Sequence, residues 1–86
     1  MSTTPPRPTA DELRAIIRQV ISEITGLQPD QIPDAAPFDQ IGVDSLTAAE
    51  VMVHVDYKYQ LRIPPEEVAT IRKLDDAVVV VQRYLN

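Results

Sequence analysis

Leu13, Ile16, Ile17, Val20, Ile21 and Ile24 recur at steps of three, one, three, one and three. That is one apolar stripe at the helical period, with Arg14, Arg18, Gln19, Ser22 and Glu23 on the other face. Thr9 and Glu12, just ahead of it, have the spacing of a capping box. Gly26 stands where a helix C′ glycine would, and Pro29 blocks extension. The pattern predicts a first helix over residues 10–25. Residues 26–44 then carry Gly26, Pro29, Pro33, Pro37 and Gly42, which predicts no regular element. So long a loop needs anchors, and Leu27, Ile32, Phe38 and Ile41 are available. Long ordered loops often carry function.

Residues 45–63 hold two patterns at once. Val51, Val53, Val55, Tyr57, Tyr59, Leu61 and Ile63 alternate with Met52, His54, Asp56, Lys58, Gln60 and Arg62. Only Met52 breaks the polar side, and this alternation favours a strand on local grounds. Its one obvious mate, Val78–Val81, is short, and a two-stranded sheet is marginal in water. The same stretch also reads as a helix. Ala48, Val51, Met52, Val55 and Tyr59 make one stripe, and Leu46, Glu50, Val53 and Tyr57 make a second beside it. Pro64-Pro65-Glu66-Glu67 ends the segment and predicts a short helix at 65–70, with proline and carboxylates in its first turn. Leu74, Ala77, Val78, Val81 and Leu85 predict a last helix over 74–85.

With 86 residues, the chain has room for one core, burying about 60–65% of the surface its unfolded form exposes. Residues 1–8, with three prolines, read as a flexible tail, and 9–86 as one domain. The lack of cysteine excludes disulfides, thiolate metal sites and cysteine nucleophiles, and His54 alone makes no metal site. A net charge of −5 argues against nucleic acid and anionic membrane as partners and suits basic protein surfaces. No apolar run approaches the roughly 20 residues of a membrane span, and Met1–Pro8 lacks a secretory pattern. A cytoplasmic monomer is the expectation.

Phe38-Asp39-Gln40-Ile41-Gly42-Val43-Asp44-Ser45-Leu46 resembles the attachment motif of acyl carrier proteins, which bear a 4′-phosphopantetheine arm on the serine of Asp-Ser-Leu. The resemblance runs over residues 10–85 and includes Ile63-Pro64-Pro65-Glu66-Glu67 and a terminal helix. It implies an all-α, four-helix acyl-carrier-like bundle of three main helices and one short one, with a long loop between helices one and two. It makes 45–60 a helix, against the local alternation. It implies a non-enzymatic carrier holding acyl groups as thioesters on an arm at Ser45, in polyketide, fatty-acid or related synthesis. A phosphopantetheinyl transferase and acyl-loading or chain-extending enzymes, such as an acyltransferase or ketosynthase, would be its partners. Asp44 would help the transferase, and Leu46, Glu50, Val53 and Asp56 would face partners.

Physical chemistry supports the serine independently. Ser45 stands at the junction of loop and helix, where serine is a favoured cap. Unpaired N–H groups there offer a seat for a phosphodiester anion. No base is placed to activate the hydroxyl, so it would wait for a modifying enzyme. The chain departs from the family at Thr47, His54, Tyr57 and Lys58, which thin the acidic face, and at Lys73, where a capping threonine is common. A peptidyl or aminoacyl carrier and an unmodified helical adaptor are the alternatives. The Gly-Asp-Ser-Leu hydrolases are not matched, because Val43 separates Gly42 from Asp44.

Overall fold

The computed structural model describes residues 7–85. The tail expected at residues 1–8 thus lies mostly outside the described residues. The element order is α1 (Ala10–Thr25), two 3₁₀ turns (Pro29–Gln31 and Phe38–Ile41), α2 (Ser45–Tyr59), α3 (Pro65–Val68) and α4 (Leu74–Tyr84). The expected four-helix bundle is what the chain forms, and among the described residues there is no strand.

Helix α1 starts as its caps dictate. The Glu12 N–H donates to Thr9 Oγ1 at 3.1 Å, and the Thr9 N–H donates to Glu12 Oε1 at 3.0 Å. It ends at Gly26, whose φ of 81° lies in the left-handed region that glycine enters freely. Leu13, Ile17 and Ile21 are fully buried. This stripe packs against both α2 and α4, so α1 is the spine of the bundle.

Helix α2 overturns the local preference for a strand. A helix buries Ala48, Val51, Met52 and Val55 on one side, against α1. A strand over the same residues would have found no adequate sheet, so packing outweighs local propensity. One consequence is apolar residues on the wrong side of the helix. Leu46 is 70% exposed, Val53 65% and Tyr57 87%. The helix stops at Gln60, which takes φ 56°, and the Leu61 N–H closes the end on the Asp56 carbonyl at 2.8 Å.

The loop before α2 is less irregular than its prolines suggest, since two 3₁₀ turns survive in it. Ile32, Phe38 and Val43 are buried, while Leu27 and Ile41 are half-buried. Val43 was not among the anchors expected from the sequence. Polar clips add to these. Arg18 donates to the Ile32 carbonyl at 3.0 Å and pairs with Asp34. Arg14 meets Asp75 at 3.1 Å. The Phe38 N–H donates to the Arg72 carbonyl at 2.8 Å, which ties the loop to the α3–α4 connection.

Helix α3 is shorter than the expected 65–70, with Ala69 and Thr70 in a turn. Arg83 and Tyr84 of α4 both reach Glu67, at 2.9 and 3.2 Å. As expected, Lys73 gives α4 no side-chain cap. The helix start is served from elsewhere. The Asp75 N–H donates to the Asp34 carbonyl at 3.1 Å, and Asp76 Oδ2 accepts from the Arg72 N–H at 3.1 Å.

Candidate functional site

Gly42 and Asp44 shape the end of the loop. Gly42 takes φ 81°, and the Val43 N–H then folds back onto the Phe38 carbonyl at 2.9 Å. Buried Val43 fixes the chain, so that Asp44 and Ser45 emerge at the surface where α2 begins. The cap is Asp44, not Ser45. Its Oδ1 accepts from the Thr47 N–H at 2.8 Å, and its own carbonyl accepts from Ala48. Ser45 is the first helical residue, exposed, and among the described residues nothing hydrogen-bonds its hydroxyl.

This division of labour corrects the anion seat expected at Ser45. The first-turn N–H groups of Thr47 and Leu46 already serve the Asp44 carboxylate. Those bonds, the Thr47 backbone N–H foremost, hold the Asp44 carboxyl below its ordinary value of 3.8. A group whose folded value is depressed contributes stability above its unfolded value. That contribution is lost as pH falls through the folded value. The Thr47 amide resonance should therefore titrate with a midpoint below 3.8. In Asp44→Asn that titration should vanish, and a midpoint at or above the ordinary carboxylate value would refute the cap.

Beyond Ser45 the helix presents two faces. Leu46, Glu50, Val53 and Tyr57 lie exposed in one stripe, as their spacing implied. Thr47 is half-buried, and His54 and Lys58 are exposed. Asp56 departs from the expected solvated acid. It is half-buried between α2 and the segment carrying α3, and its Oδ1 is closed off from solvent without a hydrogen-bond partner. Desolvation raises its carboxyl above 3.8, partly opposed by the Ile63 backbone N–H. Here the sign is opposite to that of Asp44. The charged form is disfavoured in the fold, so stability declines as pH rises from the ordinary value through the raised one.

Sequence reasoning missed the groove that joins these residues. It has a volume of about 380 Å³, and Ser45, Ala49, Met52 and Asp56 supply its α2 wall. Pro65, Val68 and Ile71 face them. The only local signal was Ser45, Ala49, Met52 and Asp56 at steps of four, three and four, a third face of the same helix. Its far wall depends on where α3 docks, which no local pattern reports. On the other side of Ser45 an open recess is lined by Asp39, Asp44, Arg72, Lys73 and Asp76. Among the described residues no cluster of three or more acidic or histidine side chains is placed to hold a metal ion. No described helix is long and apolar enough to cross a membrane.

Residues 15–78 match the family described as phosphopantetheine attachment site. The meromycolate extension acyl carrier protein of Mycobacterium leprae is 36% identical over 76 residues, which cover 87% of this chain and 66% of that protein. This chain therefore spans just under two thirds of that relative's length. The acyl carrier protein of Rhodococcus erythropolis is 32% identical over 76 residues, covering 87% of this chain and 84% of its own. Among solved structures, the acyl carrier protein of Thermotoga maritima superposes with a TM-score of 0.79 at 26% identity, covering 88% of this chain and 89% of that one. With its four helices, its long pinned loop and an exposed serine opening α2, the chain belongs to the acyl carrier proteins, the family built around a phosphopantetheine attachment site.

Proposed function

We propose that Ser45 carries the 4′-phosphopantetheine arm and that the chain shuttles acyl groups between biosynthetic enzymes. One observation carries this reading: the Ser45 hydroxyl is exposed and uncommitted, because Asp44 takes over the capping that a serine at this junction would otherwise do. When attached, the arm supplies the thiol that this cysteine-free chain lacks, and so a thioester for the cargo. The protein's own part is to hold the helix start rigid and present it. Asp44 keeps its carboxylate beside Ser45, where it would meet the cation of a modifying transferase. Incubation with a broad-specificity transferase and coenzyme A should add about 340 Da, the mass of the arm. No gain in intact mass would defeat the proposal.

The exposed stripe of Leu46, Glu50, Val53 and Tyr57 is the surface on which loading and chain-extending enzymes would dock. Core packing does not explain it, since its apolar members face solvent. A partner surface with an apolar centre and basic rim would cover the apolar residues and pair with Glu50. Exposed charges act chiefly on encounter rate. Glu50→Lys should slow arm transfer or loading several-fold at low salt, and less at high salt. Its melting temperature should stay within a few degrees of wild type. Equal loading rates at low ionic strength would make Glu50 a plain solvated residue. The pathway served, and a monomeric state in the cytoplasm, belong to this same reading, which the −5 charge and the single small core support.

A further inference from the structure

Arg14, Arg18 and Arg83 each pair with a carboxylate: Arg14 with Asp11 and Asp75, Arg18 with Asp34, Arg83 with Glu67. Arg72 does not, although the chain has 13 acidic residues against 8 basic ones and partners are plentiful. Neither does its neighbour Lys73, and among the described residues both side chains end without a hydrogen bond or ion pair. Their main chain, by contrast, is tied down. The Arg72 N–H donates to Asp76 Oδ2 at 3.1 Å, the Arg72 carbonyl accepts from the Phe38 N–H at 2.8 Å, and the Lys73 carbonyl accepts from the Ala77 N–H at 3.3 Å. Two cations thus stand on a fixed backbone with their heads uncommitted. Both line the open recess of about 560 Å³ that also has Ser45 on its wall. The other charges there are negative: Asp39, Asp44 and Asp76. Asp44 accepts the Thr47 N–H, and Asp76 accepts the Arg72 N–H.

We propose that Arg72 and Lys73 form the seat for the phosphodiester at the root of the arm. The inference rests on the carrier reading and adds the residues that hold the group. A phosphodiester on Ser45 is a permanent anion set down next to the Asp44 carboxylate, and like charges that close repel. The helix start offers little relief, because Asp44 already draws on the N–H groups of Thr47 and Leu46. The cations that share the recess with Ser45 are Arg72 and Lys73. A guanidinium offers paired N–H donors to two phosphate oxygens, and an ammonium adds a point charge on a flexible stem. The anchored main chain reduces the ordering cost when the two side chains close on the anion. A seat at its root also limits the directions in which the arm can swing.

The test compares the intact chain before and after arm transfer from coenzyme A, with intact mass reporting loading and no cargo on the thiol. In wild type the Arg72 Nε–H resonance should move on loading, while those of Arg14 and Arg18, already paired, stay put. This readout needs no variant to fold. Inorganic phosphate, added to the unloaded protein at the protein's own concentration, should leave Arg72 in place, because only attachment raises the local concentration of the anion. The second measurement is the melting temperature of the loaded protein minus that of the unloaded one, a difference that cancels what a substitution does to the fold itself. In the double variant Arg72→Gln, Lys73→Gln this difference should be about 3 °C lower than in wild type, the scale of a surface charge pair in a domain of this size. At about 1 M salt the two differences should converge. Arg72→Lys, which keeps the charge and loses the fork, should fall between them. An Arg72 Nε–H resonance indifferent to the arm would overturn the proposal, and so would one that free phosphate moves as far. Equal melting differences in wild type and double variant would assign the two cations to Asp39, Asp44 and Asp76 alone and overturn it too. If the double variant resists loading, the wild-type resonances decide. These results in a loaded protein sink this inference alone, whereas failure to load Ser45 sinks the carrier reading and this inference together.

Discussion

Ser45→Ala should abolish arm attachment outright while leaving the bundle intact. The wild-type chain should gain about 340 Da with transferase and coenzyme A, and the variant nothing. Loss of function without loss of fold is expected because the hydroxyl makes no internal hydrogen bond and faces solvent. The start of α2 depends on Asp44 instead. Alanine is also the best helix former, so the first turn loses nothing by the exchange. The other serine inside the bundle is a poor substitute. Ser22 is half-buried, and its Oγ donates to the Leu27 carbonyl at 2.7 Å. Mass gain in Ser45→Ala would place the attachment site elsewhere. Loss of helicity would mean that Ser45 holds the helix start in a way its exposure does not suggest.

Ile17→Ala should have the largest effect on stability. Ile17 is fully buried in the middle of the α1 stripe and touches the space bounded by Phe38, Val43 and Ala48, where the loop meets the first turns of α2. Cutting a buried isoleucine to alanine costs about 2–5 kcal/mol, the transfer loss plus the cavity left behind. A core this small seldom supplies more than about 3–5 kcal/mol in total. The variant should therefore be largely unfolded at 37 °C, and its urea midpoint should collapse toward zero. Arm transfer should fall in step with the folded fraction. A urea midpoint within a few tenths molar of wild type would show that α1 is not the spine described above.

How far the sequence speaks depends on whether the deciding physics is local. Helix α1 was legible to the residue because its cap, stripe and stop lie within the segment they define: Thr9 and Glu12, Leu13 to Ile24, then Gly26. Helix α2 was not. Its apolar residues satisfy both periods, and the choice falls to the packing against α1 and the shared core, where Ala48, Val51, Met52 and Val55 are buried. There the family resemblance decided correctly where periodicity pointed to a strand. At the start of α2 a serine is a favoured cap and an aspartate is another, and the structure gives the Thr47 N–H to the Asp44 carboxylate. Asp56 was expected beside Glu50 as a surface acid. Only the docking of the segment from Ile63 to Ile71 turns it into a groove residue. The loop clips were equally hidden. Nothing near Asp34 announces that its backbone will serve α4 and its side chain α1.

The two-way pattern of α2 has a consequence for the protein outside its native state. While the bundle holds, Val51 to Ile63 cannot extend, because its core side chains are engaged with α1. When the bundle opens, that segment is released as an alternating run with high β-propensity, long enough for a cross-β zipper between copies. Pro64 and Pro65 bar it from growing toward the C-terminus. The polar edge carries Asp56, Lys58 and Arg62, so parallel stacking in register would set each charge on its own copy. Protection against fibrils thus lies in three punctuating charges and in the packing of α1, the same contacts that keep the serine-bearing helix a helix.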